Sequence, residues 1–176
     1  MLAGRAGTGW GGAGHDTIFG GFGGDTLFGG DGDDMLVLTG LSGAGWGGDG
    51  DDWLQVEAGD HTLGGGDGND RIVLNGTGRG TVWAGAGNDT VTGGDGDDWI
   101  MAGAGRDVLT GGGGADMFVF YRDFGLNRIR DFDATEGDTL GLAQGMWLDS
   151  HGVLTAAQVV PASILPINTL ILLRFF

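Results

Sequence analysis

Residues 47–55 read GGDGDDWLQ, and eighteen residues further along the chain the pattern returns at 65–73 as GGDGNDRIV. Nine segments match Gly-Gly-x-Gly-x-Asp-x-apolar-x when Ala is also allowed at the first position. These segments occupy residues 11–19, 20–28, 29–37, 47–55, 65–73, 84–92, 93–101, 102–110 and 111–119. Nine copies in phase predict a repeat architecture, in which each unit packs mainly against its neighbours.

Each position of this nonapeptide has a physical role. Glycines at positions one, two and four let the backbone turn through positive φ values that other residues avoid. Position eight is Ile, Leu, Val or Phe in every copy, which predicts a three-residue strand with one side chain facing inward. Because one unit has too little core to stand alone, the units must stack. We therefore predict an all-β fold, a parallel β-roll (a β-helix or solenoid) with a short C-terminal capping β segment.

Position six is Asp in all nine copies, so every turn places a carboxylate beside the backbone carbonyls of its glycines. Hard oxygen donors of this kind are the ligands that Ca²⁺ takes. The composition agrees, because 22 of the 24 acidic residues are Asp. A generally acidic surface would use Glu as well, whereas Asp favours turns and oxygen-ligand sites. The sequence therefore predicts calcium as the bound ion.

The composition also excludes several classes of protein. The formal charge of −16 argues against nucleic-acid binding, since a phosphate backbone requires a basic surface. Two prolines are too few for a collagen helix, and the absence of cysteine excludes disulfides and Cys-based zinc sites. The longest apolar run, at residues 164–176, is too short for a membrane span. The first residues show no Sec-type signal peptide.

Two nonapeptides make one coil, so turns about eighteen residues apart lie above one another at the strand spacing of about 4.8 Å. On one edge of the roll, which we call the loaded edge, every turn carries the full motif. Its aspartates enclose five gaps: Asp16, Asp34, Asp52, Asp70, Asp89 and Asp107. On the other edge, the second edge, Asp25 is followed by Gly43, His61 and Arg79, and the motif returns at Asp98 and Asp116, which enclose one gap. One cation in each gap predicts about six Ca²⁺.

The predicted calcium ligands are the carboxylates that border these gaps and the backbone oxygens of the glycines at positions two and four. The glycines are Gly12, Gly14, Gly30, Gly32, Gly48, Gly50, Gly66, Gly68, Gly85, Gly87, Gly94 and Gly96. Segments 38–46, 56–64 and 74–83 keep the stacking phase but lack the motif, and we interpret them as turns of the same roll without an ion site. The inward positions read Ile18, Leu36, Leu54, Ile72, Val91, Leu109 on one sheet and Leu27, Gly45, Leu63, Val82, Ile100, Phe118 on the other. Gly45 is expected to leave a thin place in this core.

After the last repeat the sequence continues with Ile129, Asp131-Phe132 and Gly137-Asp-Thr-Leu140. With the nonapeptides, these residues make the chain from 11 to about 142 resemble the RTX (hemolysin-type) calcium-binding repeat region of type I secreted proteins. The resemblance implies calcium ligands at the position-six aspartates, an extracellular location, type I secretion machinery as a partner, and folding triggered by external calcium. It divides the chain into a degenerate coil at 1–10, the β-roll at 11–119, a capping segment at 120–145 and a tail at 146–176. The tail ends in Leu-Arg-Phe-Phe where the family usually has further strands and an export signal, so we interpret it as a truncated export-signal region.

No catalytic motif accompanies the repeats. His15, His61 and His151 have no paired metal spacing, and we expect them to be solvent-exposed turn residues. The GxGxxG match at 43–48 lacks the βαβ context of a dinucleotide site. We therefore expect no enzymatic activity from this chain. Two alternatives stay open at this point. The chain is the C-terminal secretion and folding module of a larger exported enzyme, such as a protease, a lipase or a polysaccharide-modifying enzyme, or it is an adhesin-like binding module.

Large side chains recur at position nine on one of the two sheets. This column reads Trp10, Phe28, Trp46, Gly64, Trp83 and Met101 and lies on the outer face. One interpretation is a stack of rings that stiffens the sheet, because outward aromatic pairs commonly stabilise sheets. The other is a contact surface for a glycan or a partner protein, formed by the Trp46 and Trp83 face. The sequence favours the first.

Overall fold

The strands of this chain alternate between two sheets, so that the backbone winds through about seven coils. The computed structural model describes residues 5–121 and 125–142, together with three short strands at 146–148, 154–156 and 171–172. Each sheet has eight strands, and every neighbouring pair is parallel except the last pair of one sheet. The predicted all-β parallel roll is therefore confirmed.

Sheet A contains β1 Thr8–Ala13, β3 Asp25–Asp31, β5 Ser42–Asp49, β7 Asp60–Asp67, β9 Gly80–Gly87, β11 Trp99–Gly105, β13 Met117–Phe120 and β15 Thr139–Leu142. Sheet B contains β2 Thr17–Phe19, β4 Met35–Leu38, β6 Trp53–Val56, β8 Arg71–Leu74, β10 Thr90–Thr92, β12 Val108–Thr110, β14 Arg128–Ile129 and β18 Ile171–Leu172. β14 and β18 are antiparallel. β16 Met146–Leu148 and β17 Leu154–Ala156 form a separate antiparallel pair. The loaded edge leads from sheet A to sheet B, and the second edge leads back.

The core lies between the two sheets and consists of the predicted inward positions. On sheet B, Leu36 is opposite Leu54, and Leu54 is opposite Ile72. On sheet A, Val82 is opposite Ile100, which is opposite Phe118. Apart from the partly buried Ile18 at the first coil and Gly45, all of these side chains are at most 1% exposed. The stack of apolar side chains is thus continuous, as the repeat predicts.

The predicted register is wrong at one position of the second edge. His61 lies opposite Gly80, one residue beyond the predicted Arg79. The preceding pair, Val56 and Leu74, is still eighteen residues apart, so the extra residue of segment 74–83 is absorbed between Leu74 and Gly80. A turn can absorb an inserted residue more easily than a strand, because a strand would move every side chain to the other face.

The strands of sheet A are longer than the predicted three residues and reach eight in β5, β7 and β9. They continue into the loaded edge, where Gly30 pairs with Gly48 and Asp31 with Asp49. At the end of this extension, the N–H of Gly32 donates to the carbonyl of Asp49 at 2.6 Å. The loaded-edge turns are therefore joined by backbone hydrogen bonds of the same kind as the sheet itself.

The predicted thin place at Gly45 does not occur. A Cβ on Gly45 would lie 3.1 Å from Leu63 Cδ2 and 3.4 Å from Leu38 Cδ1. Leu38, one residue past the motif on β4, is 1% exposed and fills the space that a side chain at position 45 would take. The glycine is compensated by its neighbours.

Beyond the repeats, β14 and β15 add one strand to each sheet, with Ile129 beside Leu109 and Leu140 beside Phe118. The first part of the predicted capping segment thus continues the stack. Residues 122–124 and 143–145 of this segment and most of the predicted tail at 146–176 lie outside the described residues, as do residues 1–4 of the predicted N-terminal coil.

Candidate metal centre

The loaded-edge turns share one backbone conformation. The glycines at positions two and four all have φ between 93° and 139°: Gly12, Gly14, Gly30, Gly32, Gly48, Gly50, Gly66, Gly68, Gly85, Gly87, Gly103 and Gly105. Residues that carry a side chain rarely adopt such φ values. Stacking adds a second constraint, because a Cβ on Gly48 would collide with the carbonyl oxygen of Gly30. Gly103 and Gly105 were absent from the predicted ligand set, although the segment AGAGRD at 102–107 places them at the same positions.

The position-six aspartates of the loaded edge form a continuous ladder. The backbone N–H of each one donates to Oδ1 of the aspartate in the following coil, at 2.7–3.0 Å, from Asp16 through Asp107. The nineteen-residue interval between Asp70 and Asp89 keeps the bond at 2.8 Å. These aspartates therefore lie in line along the edge, and one oxygen of each carboxylate from Asp34 onward fixes the turn before it.

The second oxygen of each of these carboxylates is left without a protein partner. Oδ2 is buried and unbonded in Asp34, Asp52, Asp70, Asp89 and Asp107. A buried, unpaired carboxylate oxygen is strongly unfavourable unless a cation compensates it. These buried and unbonded oxygens are therefore suited to bind a metal ion on this edge.

Oxygens of neighbouring turns converge next to the first glycine of the motif. A Cβ on Gly29 would meet both Asp34 Oδ2 and the carbonyl oxygen of Gly47. The same pair recurs one coil later at Gly47, with Asp52 and the carbonyl of Gly65. Among the described residues, no three His, Cys, Asp or Glu side chains cluster as metal ligands. A calcium ion here would therefore be held by one or two carboxylates and by backbone carbonyls, a ligand set that suits Ca²⁺.

The electrostatics of the ladder agree with a cation. Burial, and then repulsion from the carboxylates of neighbouring coils, raises the pKa of Asp52 and Asp70 to about 7. The pKa of Asp89 also rises to about 7 and that of Asp107 to about 6, with burial as the main cause in both. Without a cation, these four aspartates resist ionisation, which is the expected effect of burial near like charges.

The second edge is built differently. Both oxygens of Asp25 accept backbone N–H groups, from Gly7 at 2.7 Å and Gly21 at 2.5 Å. Asp98 is likewise bonded on both oxygens, by Gly80 at 2.6 Å and Gly94 at 3.1 Å. These two aspartates close turns with hydrogen bonds, and neither has a carboxylate oxygen that is left without a protein partner. Burial raises the pKa of Asp98.

Asp116 is the one second-edge aspartate that repeats the loaded-edge arrangement within the described residues. Its Oδ1 accepts the N–H of Asp98 at 2.9 Å, and its Oδ2 is buried without a partner. Burial, with repulsion from Asp98 and Asp138, raises its pKa to about 7. Its turn has positive φ at Gly112 and Gly114, whereas the predicted ligands Gly94 and Gly96 do not have positive φ. The structure thus brings Asp98 and Asp116 together, but with Asp116 as the residue that offers an oxygen.

Sequence reasoning missed a second ladder, at position five. Asp51 donates its N–H to Asp33 Oδ1 at 2.9 Å, and Asn69 donates its N–H to Asp51 Oδ1 at 2.6 Å. Asn88 continues it with Asn69 at 3.0 Å. The direction is opposite to that of the position-six ladder, since each side chain here bonds the turn that follows it. The signal was present in the sequence, because Asp or Asn stands at position five in five of the nine copies.

Residues beyond the last repeat end both edges; Asp131 and Asp138 belong to the stretches that carry the family resemblance, but neither they nor Asn127 lie in a nonapeptide. Asn127 Oδ1 accepts the N–H of Asp107 at 2.8 Å, and Asp138 Oδ1 accepts that of Asp116 at 2.9 Å. Asp131 accepts the N–H groups of Gly111 and Gly112 at 3.0 and 2.8 Å. These three side chains bond N–H groups of the last two repeats, and Asn127 and Asp138 take the place that a following position-six aspartate has elsewhere in the stack.

The aromatic rings on the outer face of sheet A stack on one another. Trp10 and Phe28 have ring centroids 4.1 Å apart, and Trp46 and Trp83 have centroids 5.8 Å apart. The second pair meets across Gly64, where a Cβ would lie 2.5 Å from Trp46 Cε3. Because stacked rings turn their faces to each other, the geometry favours the interpretation in which the column stiffens the sheet.

Comparisons with known proteins agree with this geometry. The family model of the RTX calcium-binding nonapeptide repeat matches in four copies, at residues 6–43, 46–76, 74–109 and 92–120. No curated protein matches the chain. In the described part of the chain, no helix has the length and apolar character needed to cross a membrane. The matched segments cover well over half of the 176 residues. The repeats bind calcium, and the chain belongs to the RTX calcium-binding nonapeptide repeat family.

Proposed function

We propose that this chain is a calcium-dependent folding module that takes up about six Ca²⁺ and becomes ordered only when they bind. The observation that carries the proposal is the set of six buried carboxylate oxygens without a partner: Oδ2 of Asp34, Asp52, Asp70, Asp89, Asp107 and Asp116. Five lie on the loaded edge and one on the second edge. One ion for each oxygen gives the same number as the six gaps between full motifs.

The energetics support coupling between binding and folding. Each ordered residue costs about 1–2 kcal/mol of conformational free energy, and glycine, of which this chain has 43, loses the most. The core contributes about one inward side chain per nonapeptide, at about 1.5–3 kcal/mol each, which is too little to offset that cost. Calcium binds the stacked turns and has no comparable site in the unfolded chain. Its binding free energy therefore adds to the free energy of folding.

Charge neutralisation supports the same proposal. Six Ca²⁺ would add twelve positive charges to a chain of formal charge −16. The remaining charge is small enough for a compact roll, whereas the metal-free chain is held open by its own repulsion.

The affinity range suggests where the folded state forms. Extracellular calcium modules bind at about 10⁻⁴–10⁻³ M, well above cytosolic calcium levels. We infer that the chain stays unfolded inside the cell, leaves by type I secretion and folds outside. Because calcium binding and the stacking of coils explain the residues that recur in the repeats, we propose a binding role without catalysis for this chain.

The test is far-ultraviolet circular dichroism and hydrodynamic radius of the full chain, first in EGTA and then in millimolar calcium. We expect an expanded, disordered chain in EGTA and a compact β spectrum with calcium. Metal analysis of the dialysed folded protein should give about six ions, and magnesium at the same concentration serves as the control. A compact β spectrum in EGTA that calcium leaves unchanged, or two or fewer bound ions, would contradict the proposal.

A further inference from the structure

The middle of the second edge contains a buried histidine where the loaded edge has aspartates. His61 stands at position six of segment 56–64, in register with Gly43 of the coil before and Gly80 of the coil after. It is 3% exposed, although a lone histidine in a repeat turn is expected on the surface. His15, on the loaded edge, is exposed. The burial of His61 therefore depends on contacts that only the second edge provides.

The imidazole of His61 joins two consecutive turns. Its Nε2 lies 2.7 Å from the carbonyl oxygen of Ala58 and 3.1 Å from that of Gly40. Both partners can only accept, so Nε2 carries the proton and donates to both. Gly40 and Ala58 are eighteen residues apart and hold the same position in successive coils. One N–H group therefore bonds a stacked pair of backbone oxygens.

A stacked pair of carbonyl oxygens is also what a calcium ion would bind between two loaded-edge turns. On the loaded edge the aspartates leave oxygens that only a cation can satisfy. On the second edge, the Nε2–H group of His61 supplies the positive charge density that these two oxygens require. The other imidazole nitrogen, Nδ1, is buried and has no hydrogen-bond partner, so the ring is held by Nε2 and by packing.

Neighbouring turns of this edge are joined by the protein's own hydrogen bonds as well. Thr39 Oγ1 donates to the carbonyl of Gly20 at 3.2 Å, and the N–H of Arg79 donates to Asp60 Oδ1 at 2.8 Å. Between residues 20 and 80, each pair of neighbouring second-edge turns is thus joined by at least one hydrogen bond that involves a side chain. No buried carboxylate oxygen lacks a partner in that part of the second edge.

We propose that the His61 imidazole takes the place of a calcium ion on the second edge and joins the turns of segments 38–46 and 56–64 without metal. Neighbouring coils of the roll are then connected in two ways. On the loaded edge the connection requires calcium, and in the middle of the second edge it consists of hydrogen bonds made by the protein itself. The inference rests on calcium filling the loaded-edge gaps, as proposed above.

Three substitutions of His61 in the full chain test this inference. His61→Gln keeps an N–H donor at a similar distance, whereas His61→Leu keeps apolar volume without a donor. In saturating calcium we expect amide hydrogen exchange at Glu57 and Asp60 to accelerate about tenfold or more in His61→Leu and to stay within about twofold of the unsubstituted protein in His61→Gln. These two amides donate to carbonyls of the preceding coil, so they report on the join directly.

The third substitution, His61→Asp, replaces the internal donor with the motif's own carboxylate. We expect this variant to bind about one calcium ion more than the unsubstituted chain, measured by metal analysis of both proteins side by side. Equal exchange rates in the Gln and Leu variants would show that the imidazole only fills space and would overturn the inference. So would an unchanged ion count in a folded His61→Asp. Because each result is a difference from the unsubstituted chain, it is separate from the total ion count that tests the proposed function.

Discussion

At the scale of single residues, the two oxygens of each aspartate separate metal sites from hydrogen-bonded turns. Asp52 uses Oδ1 to accept the N–H of Asp34 and leaves Oδ2 buried and unbonded. Asp25 has the same motif around it, but both of its oxygens accept backbone N–H groups. In the sequence, Asp52 and Asp25 both stand at position six of a full motif and differ only in the edge on which they are predicted to lie. The hydrogen bonds make one a candidate ligand and the other a structural cap.

The matched substitutions Asp52→Asn and Asp25→Asn should therefore differ in kind. Asp52→Asn keeps the oxygen that bonds Asp34 but places an amide NH₂ where calcium would bind, so we expect the loss of about one to two ions and a higher calcium midpoint. Asp25→Asn sets an NH₂ group against the N–H of Gly21, so we expect lower stability with an unchanged ion count. Metal analysis and calcium titration followed by circular dichroism measure both. Equal ion losses in the two variants would show that the assignment of edges is wrong.

At the scale of elements, stacking of turns explains why the glycines cannot be replaced. Gly12 and Gly48 have similar φ values, 107° and 122°. A Cβ on Gly12 would meet nothing within 4 Å, because this is the first loaded-edge turn among the described residues, whereas a Cβ on Gly48 would collide with the turn before it. The same motif position therefore has one constraint at the end of the roll and two in its middle.

Gly12→Ala and Gly48→Ala separate these two constraints. We expect Gly12→Ala to lower the free energy of unfolding by about 1–3 kcal/mol, the cost of a side chain in a conformation that only glycine adopts freely. Gly48→Ala should cost clearly more, because the turns must also move apart. Chemical denaturation at saturating calcium measures both. Similar losses would mean that the turns do not stack as closely as the carbonyl of Gly30 indicates.

The aromatic column on sheet A leads to a prediction about stability. Trp46 stacks on Trp83 across Gly64, whereas Trp10 at the first coil is 71% exposed. We expect Trp46→Ala to lower the free energy of unfolding by about 1–3 kcal/mol through lost ring contacts and lost burial, and Trp10→Ala to cost less. Denaturation of the two variants in calcium compares them. A larger loss for Trp10→Ala would show that the column does not stabilise the sheet.

At the scale of the whole molecule, the sequence predicts what repeats and fails to predict what ends or interrupts the repeat. The nonapeptide fixes the strands, the inward side chains and the alignment of Asp16 to Asp107, because each follows from one periodic pattern. Arg79 was wrongly predicted to lie opposite His61, because nothing in the sequence of segment 74–83 shows which of its ten residues is the inserted one. Asn127 and Asp138 were missed as position-six equivalents because neither lies in a full nonapeptide, although Gly125 stands two residues before Asn127 as position four does in the motif. Their roles depend on which backbone N–H groups remain unbonded where the stack ends.

The buried carboxylates also give the whole roll an unusual dependence on pH. In the metal-free fold, burial is the first cause of the raised pKa values, about 7 for Asp52, Asp70, Asp89 and Asp116 and about 6 for Asp107, against an ordinary value of 3.8. Since the folded pKa values lie above the unfolded ones, the metal-free fold binds more protons than the unfolded chain between about pH 4 and pH 7. Its stability is therefore greatest below about pH 4 and is lost as the pH rises through 6 to 7.

With calcium bound, the dependence should have the opposite sign, because a nearby cation favours the ionised carboxylates and protons then compete with the metal. We expect β content and compactness in EGTA to increase as the pH falls from 8 to about 4.5, and the stability of the calcium-loaded roll to decrease over the same range. Circular dichroism, hydrodynamic radius and denaturation across this range, with and without calcium, measure both slopes. A variant with Glu57→Gln, whose carboxylate is exposed and lies on the second edge, is the control and should keep both slopes. If the metal-free chain instead became more expanded on acidification, the five carboxylates with raised pKa values would not be stacked and buried as the ladder requires.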